Sequence, residues 1–408
     1  MKVSILDSCF PINKQGFGVS ASYLRWELKR NKIYYEKDPS FADAIFVTMQ
    51  DPRQIKFLEN VRKRFKEKII VCGGPASTAP YLLGEHCDLV CVGDGAAFIN
   101  DFSRNGFESS RSLGNCYFKG KKEKTSIDYG FPFEAPPIVG DNGHLNIWIS
   151  RGCKKKCYFC QTGWAYKYVE NENILSVLRK IKINQKNKIT YVSNDLGQYR
   201  YFSSLPKNGD GSYSVQFLLK NRILPRARVV RLGVEGVSER IRKIINKEIK
   251  NEDLYNLTLA MNRAGKSVKF FMMSGFFFEG KDDWEELKDF IKMYRNKDCK
   301  GTLEISFSAF IPSPATPFSN IPLTDDYYDM FLDFKEWFFN MGWSNKIKLL
   351  NLSKPETRLL SAEMHLGVDS SYLRKWRIKN PNDEIISYPY SLQVKKTRER
   401  IFKKLGNC

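Results

Sequence analysis

Asn146–Glu170 reads NIWISRGCKKKCYFCQTGWAYKYVE. An apolar, β-prone run ends at a glycine, and three cysteines follow at once, Cys153, Cys157 and Cys160, spaced C-x3-C-x2-C. Three lysines fill the first gap and a Tyr–Phe pair the second. Zinc prefers four ligands, usually from two C-x2-C pairs. Here the nearest other cysteines are Cys116 and the distant Cys299, and of the three histidines only His144 is near. Three thiolates from one loop better suit a four-iron, four-sulfur (4Fe-4S) cube, in which each iron takes its own ligand. The fourth iron is then open to a small molecule, as the free position of a catalytic zinc is. A structural zinc site is the competing reading.

The strand before the loop is the first of a series. Over residues 141–322, LNIWIS, ITYVSND, ARVVRLGVEG, SVKFFMMSGF and TLEISFSAF read as strands, with SERIRKIINK and DDWEELKDFIKMYRNK among the helices between them. This alternation predicts a parallel sheet, and five or six units suit a partial (β/α)6 TIM-type barrel. Barrels carry function at the C-terminal ends of their strands, which is where the cysteine loop begins.

Residues 1–110 alternate in the same way. VSILDS, ADAIFVTMQ, KIIVCGGP and CDLVCVGDG read as strands, GVSASYLRWELKRNK and DPRQIKFLENVRKRFKEK as helices. The prediction is an α/β, Rossmann-like, doubly wound domain. Gly73 and Gly74, and Gly93 and Gly95 around Asp94, end two of these strands, where such sheets bind ligands. Tight strand-to-helix turns are the alternative. Residues 111–140, rich in Gly, Pro and charge, read as a linker, and residues 323–408 as a mostly helical basic region ending KKTRERIFKKLG.

The 408 residues carry a formal net charge of +21, which favours a polyanionic partner such as nucleic acid or a membrane surface. An AT-rich genome, favouring Lys, Asn, Ile, Tyr and Phe, explains the excess equally well. No segment reaches the roughly 18 apolar residues of a membrane span. The start, MKVSILDSCFPINKQGFG, turns polar too soon for a signal peptide. A cytoplasmic location is expected, where ten cysteines serve as metal ligands or buried thiols rather than disulfides.

The C-x3-C-x2-C loop, with an aromatic before its last cysteine, resembles that of the radical S-adenosylmethionine superfamily. ISRGCKKKCYFCQTGWAYKYV is similar to the cluster loop of the subfamily that joins this barrel to a cobalamin-binding domain. RLGVEGVSERIRKIINKEIKNEDL, FFMMSGFFFEGKDDWEEL and SFSAFIPSPATPF resemble its fourth-, fifth- and sixth-strand segments, in order. CGGPASTAPYLLGEHCDLVCVGDGAAFINDF resembles the cobalamin module. The resemblance implies that Cys153, Cys157 and Cys160 hold the cluster and that S-adenosylmethionine chelates the open iron. An electron from the cluster would then cleave the sulfonium, giving a 5′-deoxyadenosyl radical that abstracts hydrogen from an unactivated carbon. A reductant such as flavodoxin or ferredoxin is implied.

Further roles follow from position in that family. Phe159 would pack near the adenine, and Asn194 or Asp195 would bond the amino group of the cosubstrate. Glu235 matches the acidic position of the fourth strand, with a helix N-terminal acid as its alternative. Ser274 and Gly275 would lie near the cosubstrate, and Phe310, Ile311 and Pro312 would offer backbone to the adenine edge. Gln161 would bond cluster or cosubstrate, or simply start a helix.

The chain also departs from its relatives. The fifth-strand segment reads FFFEG, without the usual proline. The cobalamin motif D-x-H-x-x-G is absent, so cobalamin would have no histidine on its lower face; a relic domain that binds nothing is the alternative. Methylthiotransferases, of similar layout, need three N-terminal cysteines for a second cluster. Cys9 could align with one, but Met49 and Gly73 or Gly74 occupy the other places, and Cys72, Cys87 and Cys91 read as buried thiols. Two function classes stay open: a radical enzyme acting on a nucleic acid, nucleotide, peptide or small molecule, and a nucleic-acid-binding protein with a structural cluster. The loop lysines either draw an anionic substrate or keep the loop solvated.

Overall fold

In a computed structural model of the chain, the described residues are 1–13, 18–120, 138–139, 144–174, 176, 178, 188–206, 209–295, 300–313, 315–321, 323–342, 347–350, 352, 354 and 392–405. The N-terminal sheet contains β1 (Lys2–Asp7), β2 (Tyr34–Tyr35), β3 (Ala44–Thr48), β4 (Ile69–Gly73), β5 (Leu89–Cys91) and β6 (Cys116–Tyr117), in the spatial order β2-β1-β3-β4-β5-β6. All neighbours pair in parallel except β5 with β6. AIFVT of β3 is buried at every position, as a strand covered on both faces must be. The order reverses between β1 and β3, so the crevice of this doubly wound sheet opens beyond Asp7 and Thr48.

The expected boundary at residue 110 is too early. Helix Ala96–Arg111 packs Phe98 and Phe102 against Phe46 of β3, and β6 closes the sheet in what reads as linker. A two-residue antiparallel strand carries too little pattern to show in sequence.

The second unit is a partial barrel. β7 (Ile138–Val139) lies antiparallel to β8 (Leu145–Trp148), and β8, β11 (Ile189–Val192) and β12 (Gly209–Gly211) run parallel. Another parallel set comprises β13 (Val229–Glu235), β14 (Ser267–Ser274), β15 (Leu303–Ala309) and β16 (Ile347–Leu350). The short β9 (Ser150–Arg151) and β10 (Val169–Glu170) pair antiparallel and bracket the cysteine loop. β16 lies beyond the boundary expected at 322, so the C-terminal region is not wholly helical. Its described helices are Asp326–Asn340 and Leu392–Leu405, and the latter plants Arg398, 2 % exposed, on Ser319 Oγ at 2.9 Å.

Alternation along β13–β15 sorts the side chains. Val230, Leu232, Val268, Phe270, Leu303 and Ile305 face the helices and are buried. Arg231, Lys269, Glu304, Ser306 and Ser308 occupy the other face, where Lys269 and Glu304 form an ion pair. Closed barrels fill that inner face with branched apolar side chains. A polar, half-exposed one leaves room for a ligand. The two units share an apolar seam, with Trp164, Ala165 and Ala315 joining Val47, Met49 and Cys72 in one buried cluster. Each fully buried aliphatic side chain there contributes about 1.5–3 kcal/mol.

Candidate active site

The cysteine loop leaves the C-terminal end of β8 and is tied down at nearly every peptide. Asn194 Nδ2 donates to Gly152 O at 3.1 Å, and Lys154 N donates to Gln198 Oε1 at 2.6 Å. Asn246 Nδ2 donates to Lys156 O at 2.8 Å, and Tyr158 N donates to Ile245 O at 3.0 Å. Phe318 N donates to Tyr158 O at 3.1 Å, and Trp164 Nε1 to Cys157 O at 2.8 Å. Partners come from the segments that follow β11, β13 and β15, so the barrel's connections shape the loop. Gly152 has φ +74°, and a Cβ there would lie 2.5 Å from Lys167 O. Only glycine fits that turn without strain.

Cys153 and Cys160 are half-exposed and Cys157 is buried. Burial pushes the Cys157 thiol up to about 11, with Lys247 opposing and Cys160, Cys153 and Glu235 adding to the rise. Among the described residues, no three His, Cys, Asp or Glu are grouped to hold a single metal ion. One tetrahedral ion needs its sulfurs within about 4 Å of each other, given Zn–S bonds of about 2.3 Å. A cube takes one thiolate per iron, so three cysteines on one braced loop leave one iron open. His144 sits at the opposite end of β8, with Nδ1 3.1 Å from Thr190 Oγ1.

All three loop lysines bond other protein groups, Lys154 from an exposed position. Lys154 Nζ reaches Glu170 Oε1 at 3.2 Å and Gln198 O at 3.1 Å. Lys155 Nζ donates to Gln216 Oε1 at 2.6 Å and lies 3.9 Å from Asp195. Lys156 Nζ donates to Gly163 O and stands over the Trp164 ring. They brace the loop, a role distinct from both sequence readings.

Other expected site residues divide. Glu235 ends β13 at φ +75° and pairs with Lys247 Nζ at 3.1 Å, while Ser238, not Glu235, caps the following helix. A Cβ at Gly233 would lie 2.4 Å from Glu235 Oε1 and 3.0 Å from Lys247 Nζ, so that glycine clears space for the pair. Burial pulls the Lys247 ammonium down, but Glu235 and the Cys157 and Cys160 thiols outweigh it and hold it above its usual value.

Asp195 is taken up by the scaffold. It accepts Gly197 N at 3.2 Å, Ser214 N at 3.1 Å and Gln198 Nε2 at 3.2 Å. Ser274 is fully buried with its hydroxyl donated to Glu279 at 2.7 Å, and Gly275 N donates to the same carboxylate at 2.8 Å. Phe310 N donates to Ser274 O at 2.8 Å, and its ring stacks on Phe276 at 4.7 Å. Ile311 packs toward the N-terminal core, and Phe159 against the barrel core. These hydroxyl and amide groups shape the strand ends instead of facing open space.

A cavity of about 370 Å³ lies between the two units. Gly73, Gly74, Gly93, Gly95 and Thr48 line one side, together with Ser20, Tyr23 and Leu24. Gly152, Gln161, Asn194 and Trp148 line the other. Gly152 and Gln161 adjoin Cys153 and Cys160. Gln161 also starts helix Gln161–Ala165, the alternative reading of that residue. Gly74 has φ +91°, and a Cβ there would lie 2.6 Å from Met49 O. The glycines leave bare backbone at the crevice, which suits a wide, flat ligand such as a corrin. No histidine lines the cavity among the described residues. Cys72 and Cys91 line it as buried thiols, and burial raises Cys72 well above its usual value.

Gln198, Lys247 and Arg151 escaped the sequence reading. Each lies in or beside a segment noted for other reasons, and polar residues in loops carry no periodic signal that marks them.

No family model matches the chain. An uncharacterized protein of Methanocaldococcus jannaschii is 27 % identical over 314 residues, 70 % of this chain and 69 % of that one. The radical S-adenosylmethionine methyltransferase TsrM of Kitasatospora setae, solved with cobalamin and an iron–sulfur cluster, superposes with a TM-score of 0.62 over 100 % of this chain and 99 % of its own, at 12 % identity. The cobalamin-dependent radical enzyme OxsB, solved with aqua-cobalamin and S-adenosylmethionine, gives 0.54 over 98 % and 66 %, at 12 % identity. The chain shares the fold of these two solved enzymes: a doubly wound N-terminal domain joined to a partial barrel.

Proposed function

We propose that the chain is a cobalamin-dependent radical S-adenosylmethionine enzyme that modifies an unactivated carbon, by methyl transfer. One observation carries the reading: the neighbours of Cys153 and Cys160 share a single cavity with the glycine-lined crevice of the doubly wound sheet. Cys153, Cys157 and Cys160 hold the cluster. When bound, the cluster supplies the electron that cleaves S-adenosylmethionine, and the corrinoid carries the methyl group. Lys247, kept cationic beside Glu235, offers its charge to the carboxylate of S-adenosylmethionine, and Asn194 and Gln161 offer polar atoms at the cavity wall. Gly73, Gly74, Gly93 and Gly95 admit the corrin, and the apolar seam at Trp164 and Met49 keeps water from the interface. A reductant such as flavodoxin or ferredoxin feeds the cluster, and a reducing, cytoplasmic setting fits the thiols.

A nucleic-acid substrate rests on the net charge of +21 and the basic tail, because the loop lysines are engaged. If it holds, affinity for RNA or DNA falls steeply with salt. Weak or salt-indifferent binding points instead to a small molecule or peptide on the polar inner face of the barrel.

The test is anaerobic reconstitution with iron, sulfide and hydroxocobalamin. The parent should take up one corrinoid and a cluster and release S-adenosylhomocysteine or 5′-deoxyadenosine on reduction. Cys157→Ala should keep the corrinoid and lose both the cluster and the products. Products from Cys157→Ala, or no corrinoid uptake by the parent, would overturn the reading.

A further inference from the structure

Gln198 stands at the end of a short turn, Leu196–Gln198, directly after β11. That turn is rigid. Asp195 caps it through Gly197 N, Leu196 N donates to Ser212 O at 2.8 Å, and Phe217 packs where a Cβ on Gly197 would sit. The side-chain amide of Gln198 makes three bonds. Its Oε1 accepts Lys154 N at 2.6 Å, and its Nε2 donates to Asp195 Oδ2 at 3.2 Å and to Cys153 Sγ at 3.1 Å. The orientation of the amide is dictated by its neighbours. A peptide N–H can only donate, so it must meet the carbonyl oxygen, and a carboxylate calls for the NH2. With oxygen and nitrogen so fixed, an N–H points at the sulfur.

Given the cluster assignment above, on which this inference rests, we infer that Gln198 is a positioning residue that sets the reduction potential of the cluster through Cys153. Hydrogen bonds to cluster sulfurs tune these potentials, and outer-shell donors orient metal ligands. A reduced cluster carries one more negative charge than the oxidised one. A donor aimed at a cluster thiolate stabilises that charge and raises the potential. The same amide grips the loop at Lys154 N, so one side chain fixes both where Cys153 lies and how electron-rich its sulfur is.

Two variants separate these roles. Gln198→Glu keeps the oxygen that receives Lys154 N and replaces the N–H with a carboxylate oxygen. Gln198→Met removes donor and acceptor together. Each is reconstituted anaerobically in the full-length protein, assayed for iron, and titrated potentiometrically by electron paramagnetic resonance without S-adenosylmethionine. Both should carry iron like the parent, with potentials shifted to more negative values, further for Gln198→Glu. Iron-loaded variants with the parent's potential would overturn the proposal. Loss of the cluster from both would also overturn it, leaving Gln198 a strut. A parent chain that takes up no cluster at all sinks the underlying assignment instead, so the two failures are distinct.

Discussion

Arg151 Nη1 lies 2.5 Å from Asp94 Oδ2, joining the turn after β5 of the N-terminal sheet to the residue two before Cys153. Asp94 is 2 % exposed at its side chain, and the Arg151 guanidinium is also sandwiched over the Tyr166 ring. The pair sits on the cavity wall and ties the cysteine loop to the crevice of the N-terminal sheet. Removing one partner of a buried pair strands the other charge. Arg151→Met should therefore cost about 3–5 kcal/mol of stability. Arg151→Met/Asp94→Asn should be less damaged than the two single losses summed. Thermal unfolding of the four proteins measures this, and strict additivity would show the pair to be uncoupled.

The glycines separate folding from binding. Gly152→Ala puts a Cβ against the Lys167 carbonyl at positive φ and should cost about 2–3 kcal/mol, with loss of iron. Gly95→Ala has ordinary φ, with Leu24 Cδ2 3.5 Å away, so it should fold like the parent. It narrows the cavity, and corrinoid affinity should fall about tenfold, equivalent to ~1.4 kcal/mol. Equilibrium titration of hydroxocobalamin by visible absorbance checks both halves.

Charge reversal at the loop lysines tells scaffold from substrate contact. Lys154→Glu faces Glu170, and Lys155→Glu faces Asp195. Each should lower iron content and thermal stability. Once iron is normalised, the KM for substrate should stay near the parent value. A raised KM at full iron content would return these lysines to the substrate.

Acid should loosen the same loop. Burial pushes the Glu170 carboxyl up, but hydrogen bonds from Tyr168, Arg200 and Lys154 outweigh it and hold it below its usual 4.5. A carboxyl depressed on folding stabilises the protein above its unfolded pKa and loses that contribution as pH falls through the folded value. Glu170→Gln should be less stable than the parent at neutral pH, by about 1 kcal/mol. The gap should close as pH falls through the lowered value of Glu170. Denaturant melts across that range report it, and a gap independent of pH would assign the loss to packing.

The sequence and the structure agree where covalent spacing or strong periodicity carries the information. The cysteine trio and the strands at 145–148, 189–192, 229–235, 267–274 and 303–309 are legible for that reason. β12 reads GDG, which looks like a turn, and is a strand only because Tyr191 and its neighbours pair with it. β16, IKLL, is too short to stand out from a region rich in helix formers. In the fifth-strand segment Phe277 stands in place of the missing proline, ahead of Glu279 and Asp283. These acids prove to be structural. Glu279 nests the end of β14, and Asp283 accepts Ser238 Oγ at 2.5 Å, locking the end of β13. Which polar side chain meets which thiol, as for Gln198 and Cys153, depends on register between strands and is invisible in one dimension.

The central claim is that three thiols suffice because the fourth iron is left for S-adenosylmethionine. The most direct measurement is the electron paramagnetic resonance spectrum of the reduced, reconstituted protein before and after S-adenosylmethionine is added, alongside an iron assay. The account predicts about four irons per chain, as one cube requires. It also predicts a spectrum that S-adenosylmethionine changes, and loss of both signals in Cys153→Ala, Cys157→Ala and Cys160→Ala but not in Cys72→Ala. A cluster indifferent to S-adenosylmethionine, or one that survives any of the three loop substitutions, would contradict it.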